Sequence, residues 1–150
     1  MNTDEKFMAL ALKEAEKARK IDEVPVGAVI VLNGEVIARA YNKREQNNDP
    51  LGHAEIRAIK KASKKLNNWR LVDCELYVTL EPCLMCTGAI INSRIKRVIY
   101  GTSDPKGGAI ESSLNLMDIK NINHYPEITK NVLQKECSEI LKNYFKNKRK

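Results

Sequence analysis

The sequence predicts an α/β fold: a three-layer α/β/α sandwich whose mixed five-stranded sheet has helices on both faces. Three observations carry this prediction. β-Branched runs alternate with segments of helical periodicity along the chain. Two of those runs are joined by Asn33-Gly34, a pair that favours a tight hairpin turn and therefore antiparallel strands. Farther along, strand, helix and strand follow one another from Glu75 to Gly101, as in a parallel crossover.

The composition indicates one globular domain with a hydrophobic core. The 150 residues are 43% hydrophobic, and no linker or repeat divides residues 1–150. Residues 1–20 mix charged and apolar positions, so we expect no signal peptide, no membrane association and a cytoplasmic location. Twenty-six Lys and Arg against 19 Asp and Glu leave a net charge of +7, which favours an anionic partner such as nucleic acid. A merely soluble basic protein would show the same charge.

The first half of the chain predicts a helix, a hairpin and a second helix. Apolar residues at helical spacing predict a helix over Thr3–Lys20, which the Asn-x-x-Glu at its start can cap. Residues 26–32 and 35–41 are the two β-branched runs of the hairpin. From His53 to Leu66 the apolar positions again share one helical face, opposite a lysine-rich face that solvation explains.

The second half predicts a strand, a helix, a strand and a closing helix. Residues 75–80 and 97–101 are predicted to form two strands, and a helix opened by Pro82 connects them. Residues 101–113 are rich in Gly, Pro, Ser and Asp, which is typical of a loop at a strand end, where open α/β sheets bind ligands. Residues 130–150 predict a helix with a basic tail. Its inward positions would be Val132, Leu133, Cys137, Leu141 and Tyr144 or Phe145.

A pair of cysteines, Cys83 and Cys86, lies in the first turn of the helix after Pro82. Both sulfurs therefore project from the same side, where the positive end of the helix dipole favours thiolates. Such a pair suits a soft divalent metal, but it also suits a thioredoxin-like redox site, and the spacing alone does not decide. Cys74 and Cys137 stand alone and are interpreted as ordinary buried residues, so we expect neither a disulfide framework nor a four-ligand structural zinc site.

His53 and Glu55, roughly thirty residues upstream, favour the metal interpretation. One His and two Cys make three zinc ligands, and three ligands leave a fourth position for water, which distinguishes catalytic from structural zinc. Glu55 could accept a proton from that water without coordinating the metal. Each motif alone arises by chance in many chains. Together they form a strong signal for metal-dependent hydrolysis.

The order of the motifs along the chain indicates a specific family. The segments VPVGAVIV, HAEI, WRL, LYVTLEPCLMC, SRIKRVIYG, DPKGGA and NH run from Val24 to His124, and EC and YFK follow in the last helix. H-x-E followed by P-C-x-x-C is the signature of zinc-dependent base deaminases. The chain resembles the bacterial tRNA-specific adenosine deaminases of the cytidine/deoxycytidylate deaminase superfamily over nearly its whole length. That resemblance implies a cytidine deaminase-like fold.

The resemblance also implies an activity: hydrolytic deamination of adenosine to inosine at the wobble position of tRNA anticodons, with release of ammonia. One Zn²⁺ per subunit would be held by His53, Cys83 and Cys86, and water that it activates would attack C6 of a flipped-out adenine. Glu55 would be catalytic, protonating N1 and then helping the amino group leave. The implied partners are the anticodon stem-loop of tRNA and a second copy of the chain in a homodimer.

Substrate contacts follow from the resemblance position by position. Asn42 would hydrogen-bond the base, and the backbone of Ala54 would meet its edge. The pocket walls would be Val26 and Pro82. Contacts with the anticodon backbone or neighbouring bases would come from Asp104, Lys106, Phe145 and Arg149. Without the resemblance, Asn42 would be interpreted as a turn residue at a strand end, and the loop residues as an ordinary turn.

Five positions depart from the family pattern, which leaves the exact tRNA preference open. Leu51 and Gly52 replace the usual Thr-Ala before the metal-binding His, and Gly52 would loosen the approach to the helix. The other replacements are Glu111 for a small residue, Tyr125 for Arg and Asn131 for Gly.

Two other functions compete with this interpretation. The nearer one is a superfamily member that deaminates a free nucleobase or nucleotide, such as guanine or deoxycytidylate, with the same zinc and Glu55. The other is a non-catalytic, zinc-stabilised RNA-binding module. Glu55 argues against the second, because a structural metal has no use for a proton carrier.

Overall fold

The computed structural model of the protein describes residues 1–148. In this range the helices are α1 (Thr3–Lys20), α2 (Ala54–Leu66), α3 (Leu84–Asn92) and α4 (Gln134–Lys148). The strands are β1 (Gly27–Leu32), β2 (Glu35–Tyr41), β3 (Cys74–Leu80), β4 (Arg97–Thr102) and β5 (Glu127–Thr129). A 3₁₀ turn at Leu116–Asp118 interrupts the long connection between β4 and β5. The predicted elements are therefore present, with small shifts at their ends.

The five strands that the described residues form make one mixed sheet in the order β2-β1-β3-β4-β5. β1 pairs antiparallel with both β2 and β3, whereas β3, β4 and β5 are parallel. Asn33 and Gly34 have φ angles of 51° and 79°, as a two-residue hairpin turn requires. The amino end of β1 and the carboxyl ends of β2, β3 and β4 consequently share one edge of the sheet.

Helices cover both faces of the sheet, which confirms the predicted three layers. One hydrophobic cluster joins the sheet to α2 and α3, and another joins it to α1 and α4. Within β1, Ala28 and Ile30 belong to the first cluster and Val29 and Val31 to the second, because side chains alternate along a strand. Burial on both faces explains the near-continuous apolar runs in the sequence.

The last two elements differ from their predictions. β5 had not been located, because its three residues are partly exposed at the edge of the sheet and carry no long β-branched run. The closing helix begins at Gln134 rather than near Lys130. Asn131 and Leu133 have φ angles of 63° and 51°, which no α-helix residue adopts, so the chain turns before the helix starts. Cys137 is nevertheless buried, as expected.

Two further features concern the chain's environment. All four cysteines are free thiols in the described residues. Among the helices of residues 1–148, none combines the length and the apolar content that crossing a membrane demands.

Gly27 lets β1 approach α1 closely. A Cβ atom added at this position would lie within 3.0 Å of the backbone oxygen of Ala11 and the backbone nitrogen of Ala15. Those atoms belong to a helix and cannot move away as a flexible side chain could. Gly88 in α3 is the opposite case, because an added Cβ would meet nothing within 4 Å.

We expect Gly27→Ala to lower the free energy of unfolding by about 1–3 kcal/mol, because overpacking a rigid contact forces the backbone to shift. The matched substitution Gly88→Ala should instead raise the free energy of unfolding by roughly 0.5–1 kcal/mol. Position 88 is exposed in a helix, where alanine is more stable than glycine. Urea unfolding followed by circular dichroism measures both. Equal stability of Gly27→Ala and the wild type would contradict the close approach of β1 and α1.

Candidate active site

The starts of two helices meet at the shared edge of the sheet. His53 is the N-cap residue of α2 and Cys83 is the N-cap residue of α3, and neither side chain caps its own helix. The side chains turn toward each other, so that His53 Nδ1 lies 3.6 Å from Cys83 Sγ and 3.5 Å from Cys86 Sγ. The local sequence thus places ligands where most helices place a capping Ser, Thr or Asp.

The three ligand atoms fit a tetrahedral metal ion. Zinc–sulfur bonds of about 2.3 Å and zinc–nitrogen bonds of about 2.0–2.1 Å give tetrahedral N–S edges of roughly 3.6 Å. The two observed separations, 3.6 and 3.5 Å, match that edge, and all three atoms lie within 4.8 Å of one another. One imidazole and two thiolates are also the soft donors that such a metal prefers. The predicted ligand set is therefore brought together.

Hydrogen bonding prepares one of the thiols for metal binding. The bond from the Cys86 thiol, together with the contact to His53, lowers the pKa of Cys83 to about 4. The pKa of Cys86 is raised because it donates to Cys83 and because it is buried. A metal binds the deprotonated form of a thiol, so binding a cation here would release the proton that Cys86 retains.

Glu55 lies in the first turn of α2, two residues after His53, and is 4% exposed. Burial raises the pKa of its carboxyl to about 7. A carboxyl group poised near neutral pH can both accept and return a proton, which is what general acid–base catalysis requires. The helix start thus supplies a ligand and a proton carrier side by side.

A cavity of about 230 Å³ opens beside these groups. It is smaller than the roughly 300–1,000 Å³ of sites for drug-sized ligands, so it suits a single heterocycle rather than a whole nucleotide. The cavity is lined by Val24, Val26, Asn42, Arg44, His53, Ala54, Glu55, Leu80, Glu81, Cys83 and Asp104. Three larger depressions are open grooves beside α4 that the ligand residues do not line, and one of them shares Val24 and Arg44 with this cavity.

Three of the four residues expected around the base line this cavity, namely Val26, Asn42 and Ala54. Pro82 does not line it; this residue is buried, and its carbonyl accepts a hydrogen bond from the backbone of Ala109 at 2.9 Å. Asn42 is also the turn residue of the alternative interpretation. Its amide donates to the Val24 carbonyl at 3.2 Å, and its oxygen accepts from the Arg44 N–H at 3.1 Å. The amide retains one N–H and one lone pair for a base.

The residues expected to contact RNA belong to two segments, the loop after β4 and residues 145–149. Asp104 lines the cavity, whereas Lys106 is exposed two residues later in the same loop. Phe145 is 45% exposed on α4, where its ring meets that of Tyr144 edge-on at 5.3 Å. Arg149 lies outside the described residues. Contacts of these residues with RNA stay predictions.

Two buried glutamates near the cavity had not been identified from the sequence. Glu23 accepts hydrogen bonds from the backbone N–H groups of Glu45 and Gln46 at 3.2 and 2.7 Å, and so holds the loop before α2. Glu81 holds the loop after β4. Burial would raise the pKa of Glu81, but hydrogen bonds from that loop, led by the Glu111 N–H, lower it overall. The available signal was a glutamate inside an otherwise apolar motif, as in TLEPC.

Four of the five positions that depart from the family pattern have a local structural explanation. Gly52 does not loosen the approach to α2, because it is buried and an added Cβ would crowd the Arg44 backbone at 3.0 Å. Tyr125 accepts from the Ile122 N–H at 3.1 Å within its own loop. Asn131 has a positive φ, which asparagine tolerates better than most residues other than glycine.

Glu111 accepts hydrogen bonds from Tyr100 and, at 3.2 Å, from Lys130. The side chain therefore connects the loop after β4 to the sheet and to the segment after β5.

Comparisons with known proteins agree on one family. The family model of MafB19-like deaminases matches residues 1–149. The tRNA-specific adenosine deaminase of Bacillus subtilis is 47% identical over 150 residues, which cover 100% of this chain and 93% of that protein. The enzyme of the same name from Agrobacterium fabrum is 48% identical over 143 residues, covering 95% of this chain and 94% of the relative.

Solved structures with this fold include a tRNA deaminase and a guanine deaminase. A structure from a study of A-to-I editing by tRNA:A34 deaminases at the wobble position of transfer RNA superposes with a TM-score of 0.88. It is 48% identical and covers 91% of this chain and 99% of that one. A guanine deaminase from Bacillus subtilis reaches a TM-score of 0.65 at 34% identity, covering 80% and 87%. The chain therefore belongs to the family of tRNA-specific adenosine deaminases, and it has the cytidine deaminase-like fold that its motifs predicted.

Proposed function

We propose that this protein, acting through a single domain of residues 1–150, hydrolyses adenosine to inosine at the wobble position of tRNA anticodons and releases ammonia. The observation that carries the proposal is the convergence of His53, Cys83 and Cys86 next to the buried Glu55, at a cavity of the size of one base. Relatives at 47% and 48% identity over nearly the full chain are named for this activity.

We further propose that the metal is zinc, one ion per subunit. Three protein ligands of the N and S type leave one tetrahedral position for water. When bound, the ion would make a nucleophilic hydroxide available near neutral pH. Structural zinc sites, by contrast, are closed by a fourth side chain, and the described residues bring together three such ligands at this site.

The chain's own residues would bind and orient the base and move protons. Asn42 would use its remaining N–H and lone pair to orient the adenine, and the start of α2 offers free backbone N–H groups near Ala54. Glu55 would carry a proton from the attacking water to N1 of the ring and a second one to the departing amino group. The cavity walls would exclude bulk water from the extruded base.

The substrate is proposed to be the anticodon stem-loop rather than a free base. The net charge of +7 favours a polyanion, and the exposed ring of Phe145 could stack on an unpaired base. A homodimer is also proposed. Three exposed apolar side chains on the connection before β3 and at the start of α3, Trp69, Val72 and Leu84, are compatible with a partner surface.

Deamination of free guanine is the second candidate, because the guanine deaminase structure shares 34% identity and the fold. The lower TM-score of 0.65, against 0.88 for the tRNA deaminase, makes this candidate weaker.

We expect purified protein to contain about one zinc ion per chain, measured by elemental analysis. Cys86→Ala and His53→Ala should each reduce zinc well below one ion, because two remaining ligands bind too weakly to retain it. Cys74→Ala is the matched control, since Cys74 lies in the first core cluster and should leave zinc unchanged. A full zinc content in both ligand variants would contradict the ligand set.

The protein should form inosine in an RNA stem-loop that bears a wobble adenosine, and should leave free guanine, adenosine and cytidine unchanged. Chromatography of nuclease digests measures the first reaction, and ammonia release measures the others. Glu55→Gln should lower kcat on the stem-loop by about 100-fold or more, because a general acid–base group typically contributes 10²–10⁴-fold.

The Glu55→Gln protein should keep its zinc and its unfolding midpoint, which separates loss of proton transfer from loss of structure. Turnover of free guanine without turnover of RNA would reverse the ranking of the two candidates. Full activity in Glu55→Gln would remove this residue from the mechanism.

A further inference from the structure

Glu81 is buried at 2% exposure, and its carboxylate receives a cluster of hydrogen bonds from the loop after β4. The backbone N–H of Asp104 donates to one oxygen at 3.1 Å. The N–H groups of Ile110, Glu111 and Ser112 donate to the other at 3.1, 2.9 and 3.1 Å. The Ser112 hydroxyl donates as well. One side chain thus binds both ends of a loop of irregular structure.

These bonds give the loop the partners that a helix or strand would otherwise supply. Backbone N–H groups withdrawn from water need an acceptor, and a carboxylate is a stronger acceptor than a neutral oxygen. Replacing the carboxylate with a methyl group would leave several donors unsatisfied at once. The loop would then have to open toward water to recover its hydrogen bonds.

Gly108 shows how closely the loop follows this carboxylate. A Cβ atom added there would lie within 3.0 Å of the carboxyl carbon and both carboxyl oxygens of Glu81. The loop backbone therefore passes directly against the acceptor. This contact, rather than a left-handed backbone conformation, explains the glycine at position 108.

The segment that holds the loop is the segment that holds the metal site. Glu81, Pro82 and Cys83 are consecutive: the first accepts the loop's N–H groups, and the carbonyl of the second accepts from Ala109 at 2.9 Å. The third provides a sulfur to the ligand set. The position of the loop is therefore fixed relative to the site of chemistry by three adjacent residues.

Asp104 connects the part of the loop held by Glu81 to the cavity. Its backbone is held by Glu81, and its own carboxylate accepts from the N–H groups of Lys106 and Gly107 at 3.2 and 3.1 Å. Asp104 also lines the cavity. What Glu81 orders is consequently the part of the loop that carries the proposed RNA contacts.

We infer that Glu81 is a positioning residue for substrate binding: it holds the loop of residues 104–112 against the metal-binding segment, so that Asp104 and Lys106 meet the RNA beside the extruded base. The inference rests on the proposed function for its substrate. It assigns Glu81 to binding and Glu55 to proton transfer, although both are buried carboxylates next to the same cavity.

A purely structural role for Glu81 predicts a different outcome. If the residue merely stabilised the core, its loss would lower stability without changing the balance between KM and kcat. If it orders the loop, KM for the stem-loop rises because binding contacts are lost, while the rate of the bound complex is retained.

The test compares Glu81→Ala with the wild type on the stem-loop that bears a wobble adenosine. We expect KM to rise about 10- to 100-fold, the range that misplaced contacts can cause, with the single-turnover rate at saturating enzyme within about 3-fold of wild type. Zinc content should be unchanged. Amide hydrogen exchange by mass spectrometry should accelerate at residues 104–112.

Further variants keep the test decisive if Glu81→Ala folds poorly. Ser112→Ala removes one donor to Glu81 and should raise KM less, and Gly108→Ala should disturb the loop by its added Cβ. Glu127→Ala is the control, because Glu127 is an exposed glutamate of β5 that lies opposite Arg97 in the strand register, at the end of β4 away from the loop. It should leave KM and exchange at residues 104–112 unchanged.

Unchanged exchange in the loop of Glu81→Ala, or a loss confined to the single-turnover rate with KM unchanged, would overturn the inference. Failure of the wild type to deaminate any RNA would refute the proposed function instead. In that case the exchange measurement would still decide whether Glu81 orders the loop.

Discussion

The site depends on two helix amino termini that meet at one point and that both lack the usual capping hydrogen bond from a side chain. His53 and Cys83 occupy N-cap positions, where a side chain ordinarily satisfies the free N–H groups of its own helix, and both side chains point at a common centre instead. The positive ends of the two helix dipoles therefore face the sulfurs, which favours the charged form of sulfur. Cys86 and Glu55, each in the first turn of one of these helices, follow from the same arrangement.

The sheet makes this convergence possible, and buried carboxylates complete it. Because β1 runs antiparallel to its neighbours, the ends of four strands lie at one edge, where α2 and α3 begin. Two loops border the cavity there, and each is held by a glutamate: Glu23 for the loop before α2 and Glu81 for the loop after β4. A base that leaves an RNA stack would meet a preformed site rather than one that must assemble around it.

Sequence patterns predicted the fold and the cysteine pair because both arise from local signals. The apolar periodicity, the Asn33-Gly34 turn and the spacing of the cysteines each reflect the geometry of one element. Bringing His53 to the cysteines needed the family motif, since no local rule joins residues thirty positions apart. β5 had not been located because pairing with β4, rather than its own residues, makes it a strand.

The roles of Glu23 and Glu81 could not have been predicted in the same way. A carboxylate that accepts hydrogen bonds from the backbone of a distant loop produces no periodic pattern in the sequence. Its partners are known only from the three-dimensional structure. Gly52 was expected to loosen the approach to α2, and that expectation was wrong, because this glycine lies in a tight contact with the backbone of Arg44. Contacts between elements that are distant in the chain cannot be predicted from local sequence patterns.

The coordination of the metal tests the account most directly, because every proposed step assumes an ion with one position free for water. X-ray absorption spectroscopy at the zinc edge of the purified protein should report two sulfur ligands at about 2.3 Å, one nitrogen at about 2.0–2.1 Å and one light atom from solvent. A shell with three sulfurs or two imidazoles would contradict it, because a further protein ligand would close the position at which water must react.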